Sequence, residues 1–347
     1  MPISNLFNMK KINLLYILLL MLSIVVLNSC KSDVNIYDEG EETTIVYGYL
    51  DVDADTNYLK ITKSFVGNVI EDGQNYDLSN YDYKLDVRLI GKFADMPNIT
   101  STEILDTCHV YKPYNPNAIF YSGRNQVLYY TTRKLKENER YKLEIRRNDG
   151  VVITSTVETI NNSVITRPTY NISFESSATN QIRWKPNNLF KRAAYYEVVG
   201  YFHYGQLDPG DTDTVYHTMR WFMGSGTGDE LWNSSDYYMF VNYTPDNLYK
   251  QLESNDNFVN NSPDWVQRFV KGFEIVITAT GEELYNYMLV QNSSGAIQDT
   301  PEFTNIENGM GIWSSRSQCR KMVDVSEMTI NTLIRDYPQW GFVKVYN

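Results

Sequence analysis

The segment spanning residues 140–158 constrains the fold more than any other part of the chain. It reads RYKLEIRRNDGVVITSTVE, and its first half alternates apolar with charged residues at Tyr141, Leu143 and Ile145. Successive side chains of a strand point to opposite faces, so this alternation predicts a strand with one buried face and one hydrated face. An Asp-Gly pair, which suits the positive φ of a tight turn, precedes a second β-branched run. The segment therefore predicts an antiparallel hairpin.

The rest of the body predicts two β-rich domains. Residues 43–160 contain further runs of β-branched and aromatic residues and no helical period of useful length, which predicts an all-β, sandwich-like domain. A stretch rich in Asn, Ser and Pro places the boundary near residues 161–168. Strand-like runs resume in residues 161–347, with helical segments between them. The expected fold class is therefore mainly β, with two β-sandwich-like domains, the second with a few inserted helices.

Helices are expected at four places in the second domain. Residues 244–254 begin with Thr-Pro-Asp and residues 262–270 begin with Ser-Pro-Asp. Each triplet offers a capping hydroxyl, a proline at the first helical position and an acidic residue near the positive end of the helix dipole. Residues 280–292 and 326–338 also have the pattern of helices. A strand is expected at residues 271–280, between the second and third of these helices.

The N-terminus has the features of a lipoprotein signal. Lys10 and Lys11 precede a largely apolar run that ends in Leu-Asn-Ser-Cys. Residues 1–29 are therefore expected to be a signal peptide, with Cys30 as the lipidation site and the first residue of the mature chain. The thiolate is the nucleophile that takes the lipid, so no other residue type can replace this cysteine. Residues 30–42 are acidic and poor in apolar residues, which predicts a tether between the lipid and the folded body.

The charge of the chain narrows its possible binding partners. The formal net charge is −11, and no segment rich in Lys and Arg interrupts the acidity. Nucleic acid is therefore not expected as a partner, because binding to it needs a basic patch.

With Cys30 assigned to the lipid, Cys108 and Cys319 remain. The sequence leaves open whether these two thiols pair or stay free.

An acidic stretch that starts at Asp51 partly matches a calcium-binding loop. Asp51, Asp53 and Asp55 match ligand positions 1, 3 and 5 of a calcium-binding loop. Position 6 is Thr56 instead of glycine, position 12 is Thr62 instead of glutamate, and the flanks are strand-like. The three aspartates are therefore only weak metal candidates, and a solvated turn between two strands is expected because their charges repel one another. No cofactor is predicted.

Other polar motifs also favour structural interpretations. The glycine-rich stretch 224–230 has neither a following helix nor a P-loop lysine, so it is interpreted as a loop. The three histidines form no H-x-x-x-H pair, and no nucleophile elbow is present, so an enzyme is not expected. A hydrolase whose carboxylates are brought together only by the fold remains a less favoured alternative.

Aromatic residues are abundant, with 28 tyrosines, and most are expected in the core. Two tyrosine-rich segments are weak candidates for contact with a ligand or partner, because tyrosine offers a large contact area at a low entropy cost. The candidate residues are Tyr114, Tyr121, Tyr237 and Tyr238.

The N-terminal Leu-Asn-Ser-Cys motif and three further segments resemble a lipoprotein family of Bacteroidota outer membranes that is defined only as a domain of unknown function. The segments are residues 45–65, 135–147 and 301–316. The resemblance implies a two-part β-rich fold and, often, a neighbouring TonB-dependent transporter. It supplies no catalytic or ligand residues.

These features together predict a lipid-anchored accessory protein of the outer membrane, on its periplasmic or cell-surface face. It is expected to bind a ligand or a TonB-dependent transporter. The alternative is a pilin-like or adhesin subunit, because such proteins also begin as lipoproteins and assemble by adding a strand to an open sheet edge. That alternative would need a protease-sensitive site near the N-terminus, and the first arginine of the chain is Arg88.

Lipidation can be tested by replacing the cysteine. Cells that produce the wild-type chain should incorporate a labelled fatty acid into it, whereas cells that produce Cys30→Ser should not, because serine offers no thiolate. The label is followed by gel fluorography of the immunoprecipitated protein. A Cys30→Ser chain that retains the label would refute the assignment.

Overall fold

The computed structural model describes residues 42–64, 79–111, 125–174, 179–189, 191–255, 258, 266–293 and 303–344. The signal peptide, Cys30, most of the tether and two of the candidate tyrosines, Tyr114 and Tyr121, lie outside these ranges. Within the chain, residues Glu42–Asn347 form one compact unit.

Seventeen strands and three α-helices build the described part of the chain. The strands are β1 Thr44–Asp51, β2 Asn57–Lys63, β3 Asp86–Gly91, β4 Ser101–Ile104, β5 Asp106–Tyr111, β6 Asn125–Thr131, β7 Arg140–Arg146, β8 Val152–Glu158, β9 Ser163–Arg167, β10 Asn171–Ile172, β11 Asn180–Pro186, β12 Tyr195–Leu207, β13 Val215–Thr227, β14 Trp232–Asn233, β15 Tyr238–Tyr243, β16 Gln267–Thr280 and β17 Met310–Val325. The helices are α1 Asp246–Glu253, α2 Glu282–Ser293 and α3 Glu327–Asp336, and a 3-10 helix follows at Pro338–Trp340.

The strands form one large sheet and two small ones. The large sheet has the order β13-β12-β16-β17-β1-β2-β6-β5, and β10 pairs with β17 off this path. The two four-stranded sheets have the orders β14-β15-β11-β9 and β4-β3-β7-β8. The fold is therefore mainly β and sandwich-like, and this confirms the predicted fold class.

Strand β17 changes partner along its length. Strand β1 pairs with it in parallel, from Ile45 beside Met310 to Asp51 beside Arg316. Strand β16 pairs with it antiparallel on the other side, from Thr280 beside the same Arg316 onward. Strand β17 thus pairs with a strand from the N-terminal half of the chain and with one from the C-terminal half, so both halves contribute to the large sheet.

Two hydrophobic clusters fill the space between the sheets. The first contains residues from β1 to β8, together with Ile306 and Trp313 from the C-terminal part of the chain. The second contains residues from Ile160 onward, including Val323 and Val325 at the end of β17. The division of the chain at residues 161–168 stays a prediction, but both clusters draw side chains from β17.

The predicted hairpin and three of the four predicted helices are confirmed. Strands β7 and β8 pair over seven residues each, and Gly150 has φ +91° in the connecting turn. Helices α1, α2 and α3 occupy three of the predicted segments. The capping hydroxyl predicted at Thr244 is wrong, since α1 follows Pro245 and has no side-chain cap among the described residues. A cap that was not predicted occurs at the start of α3, where the Ser326 Oγ atom accepts a 3.2 Å hydrogen bond from the backbone N–H of Thr329.

Two predictions of secondary structure were also wrong. Residues 267–270, expected at the end of a helix, begin strand β16 because they pair with the far end of β12, Gln267 beside Leu207. Residues 262–265 lie outside the described part. Residues 224–227, expected in a loop, complete strand β13, and Gly224 there has φ +154° beside a register shift in β12. In both segments, pairing with a distant strand thus determined the secondary structure, and the local sequence pattern did not.

The structure also answers the question of the cysteines. Cys108 and Cys319 are both free thiols, and they lie on β5 and β17. Four strand spacings, or about 19 Å, separate these strands in the large sheet, far more than a disulfide can bridge. Burial raises the pKa of the Cys319 thiol to about 12, so this side chain is expected to react slowly.

A glycine substitution tests how much depends on the pairing of β1 with β17. Gly311 has φ +103°, and a Cβ atom there would collide with the carbonyl oxygen of Val46 in the facing strand. Gly150 has a similar φ, +91°, but its Cβ would meet nothing within 4 Å. Gly150→Ala should therefore lower the free energy of unfolding by about 1 kcal/mol, through backbone strain alone.

Gly311→Ala should lower the free energy of unfolding by more than about 3 kcal/mol, because a collision with backbone adds to the same strain. Urea unfolding of the two variants, followed by tryptophan fluorescence, gives the comparison. Equal losses for both glycines would show that the close approach of β1 to β17 is not critical.

Candidate functional site

A cleft of about 690 Å³ lies beside the middle of β17, and we name it the junction cleft. Four segments line it together with Asn138: residues within 158–161, 191–194, 227–229 and 281–286. They are the end of β8, the approach to β12, the turn after β13 and the start of α2. The cleft is thus built from both halves of the chain.

Hydrogen bonds to two central residues bring these segments together. The Ser315 side chain on β17 donates a 2.7 Å hydrogen bond to the carbonyl oxygen of Glu158, and its own carbonyl oxygen accepts one of 2.9 Å from the N–H of Gly281. Ala194 donates its N–H to Thr280 and accepts a hydrogen bond from the N–H of Gly228, each 3.1 Å long. The cleft walls are therefore tied to β17 and to one another through the backbone.

The start of helix α2 brings two carboxylates to the cleft. Glu283 is partly buried, and its Oε2 atom accepts a 3.0 Å hydrogen bond from the Ser314 hydroxyl. That hydroxyl in turn accepts a 3.1 Å hydrogen bond from the N–H of Leu284. Burial raises the pKa of Glu283, and the negative charges of Glu282 and Glu158 raise it further. The field at this end of the cleft is therefore negative.

The cations of the cleft are paired with its other two carboxylates. Lys191 forms an ion pair with Glu158, and Arg192 forms one of 2.7 Å with Asp229. Glu282, the remaining carboxylate of the lining, is exposed. Within the described ranges, neither it nor Glu283 forms a salt bridge, so both carboxylates are available to a ligand.

Asn161 carries an unsatisfied acceptor in the cleft lining. Its side chain is 2 % exposed, and its Nδ2 atom donates a 2.6 Å hydrogen bond to the carbonyl oxygen of Lys191. Its Oδ1 atom is buried without a hydrogen-bond partner. Buried polar atoms are rarely left unpaired, so this oxygen calls for an explanation. Nearby, the ring of Tyr285 stacks on Tyr195 at a centroid distance of 5.1 Å.

The three candidate metal-binding aspartates lie elsewhere and contact different groups. Residues 52–56 connect β1 to β2, as the turn interpretation requires. The turn is not wholly solvated, however: Asp51 is 5 % exposed and accepts a 3.0 Å hydrogen bond from Arg316 Nε. Repulsion among the aspartates was expected to keep Asp51 in water, but the guanidinium compensates its charge.

The other two aspartates extend this contact. Asp53 accepts hydrogen bonds of 2.6 Å from Asn162 and 3.2 Å from Ser317, and desolvation raises its pKa. Asp55 is fully exposed and pairs with Lys134 at 3.3 Å. No cluster of three or more potential metal ligands occurs among the residues that the structure describes. In these contacts, the turn joins β17 to the first half of the chain.

The two described candidate tyrosines differ in exposure. Tyr237 is 57 % exposed and adopts φ +55°. Tyr238 is 8 % exposed, and the guanidinium of Arg183 lies 4.5 Å from its ring centroid. Strand alternation places Tyr238 on the face of β15 opposite Met239 and Val241, which lie in the core, so its burial comes from neighbours on its own face such as Arg183 and Phe240. The contact role of Tyr238 stays a prediction with little accessible surface, and that of Tyr237 stays a prediction at an accessible position.

The junction cleft itself was not found from the sequence. Its charged residues lie in four segments between residues 158 and 283, and no local spacing links them. In the sequence, Glu282 and Glu283 are simply adjacent acids, and adjacent residues of a helix point in different directions. The one sequence feature that could have indicated the cleft is a helix that starts with Gly-Glu-Glu directly after a predicted strand.

Comparisons with known proteins add no assignment to this geometry. No protein-family model matches the chain, and none of the curated proteins matches it. Within the described ranges, the helices are all too short or too polar to cross a bilayer.

The raised pKa of Glu283 predicts a stabilising substitution. A carboxyl whose pKa is higher in the folded state binds its proton more tightly there, so stability falls as pH rises through the interval above its ordinary pKa of about 4.5. Glu283→Gln removes this cost and should raise the melting temperature at pH 7.5 but not at pH 4. The control Glu282→Gln, at an exposed position, should change little. A lower melting temperature for Glu283→Gln at pH 7.5 would contradict the prediction.

Proposed function

We propose that this chain is a lipid-anchored accessory protein of the outer membrane that binds a ligand in the junction cleft and works beside a TonB-dependent transporter. The cleft is the observation that carries the proposal. Its volume of about 690 Å³ lies within the range of small-molecule sites, and its walls come from backbone-tied segments of both halves. A site held in this way is pre-organised, which lowers the entropy cost of binding.

Binding is favoured over hydrolysis by the arrangement of the carboxylates. Glycoside hydrolysis needs two free carboxyl groups on opposite sides of the scissile bond. Glu158, the carboxylate from β8, is already engaged by Lys191 and lies 3.6 Å from Arg140. The two carboxylates that remain, Glu282 and Glu283, are adjacent on one helix. The cleft therefore offers a polar binding surface without a free catalytic pair.

The membrane attachment and the partner rest on the sequence. The lipidation motif at Cys30 and the acidic tether at residues 30–42 would hold the folded body close to the outer membrane. Confinement to one membrane raises the effective concentration of a partner, so even weak binding to a transporter is sufficient. The resemblance to the Bacteroidota lipoprotein family is what implies a TonB-dependent transporter as the partner.

Affinity purification from membranes in mild detergent tests the proposal. The wild-type chain should recover a TonB-dependent transporter and a bound small molecule, both identified by mass spectrometry. Asn286→Trp places a large side chain in the cleft and should lower the recovered small molecule by about tenfold or more.

Leu289→Trp is the matched control for this test. Leu289 lies on the same helix, is 49 % exposed and does not line the cleft, so its replacement should leave the recovery unchanged. Equal recovery with both tryptophan variants would remove the cleft from the proposal. Turnover of a substrate panel by the wild-type chain would favour the hydrolase alternative.

A further inference from the structure

The charges of the junction cleft do not balance. Its lining contains four carboxylates and two cations, and both cations are held in ion pairs, Lys191 with Glu158 and Arg192 with Asp229. Glu282 and Glu283 are left with no cationic partner among the described residues. Both lie in the first turn of α2, where the helix dipole favours acidic residues, so their position alone does not indicate a ligand.

Asn161 provides an independent observation. Its side chain is 2 % exposed, and its amide is oriented by the hydrogen bond from Nδ2 to the carbonyl oxygen of Lys191. The remaining atom of the amide, Oδ1, is an acceptor without a donor. The lining therefore combines three groups that accept hydrogen bonds and have at least one oxygen to spare: Glu282, Glu283 and Asn161. A ligand that satisfies them must donate.

We infer that the junction cleft recognises the cationic group of a small amine or guanidine, an assignment that rests on the proposed ligand-binding function. Ammonium and guanidinium groups only donate hydrogen bonds, and their charge compensates that of Glu282 and Glu283. The ring of Tyr285, which lines the cleft and stacks on Tyr195, adds π surface of the kind that attracts cations. A neutral polyhydroxylated ligand also donates, but it leaves the two carboxylates uncompensated.

Pairs of isosteric ligands test this inference. N-acetylargininamide and N-acetylcitrullinamide differ in one positive charge at nearly constant shape, as do N-acetyllysinamide and N-acetyl-6-hydroxynorleucinamide. Titration calorimetry with the full-length chain in detergent at low salt should show each cationic member binding about tenfold tighter than its neutral counterpart. High salt should reduce the difference, since the carboxylates are partly accessible to solvent.

The variant Glu282→Gln with Glu283→Gln should abolish the discrimination within each pair. Glu253→Gln, a carboxylate at the end of α1 that does not line the cleft, should leave it unchanged. Unfolding does not confound the test, because Glu283→Gln is expected to stabilise the protein at neutral pH. The melting temperature of each variant is measured in parallel.

The outcomes separate this inference from the proposed function. Equal binding of neutral and cationic members, blocked by Asn286→Trp, would overturn the inference and leave the ligand-binding function in place. Failure of both cationic compounds to bind below about 1 mM would likewise overturn the inference. Failure of the wild-type chain to recover any small molecule or transporter from membranes would instead overturn the function itself.

Discussion

The structure depends on strand β17 being paired along both edges. Its first half lies against β1 and its second half against β16, so both halves of the chain share one sheet. Trp313 on this strand is buried in the first hydrophobic cluster and Val323 in the second. Between them, Ser314 and Ser315 are fully buried and use their hydroxyls to position Glu283 and the end of β8. Buried polar groups need partners, and here those partners form the cleft.

Local sequence patterns predicted the elements that are stabilised locally. The β7–β8 hairpin follows from alternation and an Asp-Gly turn, and the position of α1 follows from its Thr-Pro-Asp start. Strand β5 was missed because most of its side chains, from Asp106 to Tyr111, are exposed at the edge of the large sheet and show no alternation. The start of β16 was misassigned because an apolar run after Ser-Pro-Asp suits either a helix or a strand, and only pairing with β12 decides.

The candidate site was less accessible to sequence reasoning, because long-range partners set its chemistry. Aspartates at alternate positions from Asp51 predicted mutual repulsion, yet Arg316, 265 residues away, supplies the charge that compensates Asp51. In the same way, Glu282 and Glu283 had no sequence neighbour to mark them as part of a cleft. The opposing groups, Glu158 and Asn161, come from the other side of β17. The sequence shows which residues are charged or polar. It does not show that the four segments lie together, because the topology of the fold brings them into contact.

The parallel pairing of β1 with β17 also bears on the order of events in folding. Strand β1 is synthesised some 265 residues before β17, its parallel neighbour in the sheet. Until Ile306 and Trp313 have been added, the first cluster lacks two of its buried side chains and β1 has one unpaired edge. Contacts between such distant segments slow folding, because a long loop must close before they form. The N-terminal half therefore completes its core only after Trp313 has been synthesised, so its folding depends on the C-terminal half.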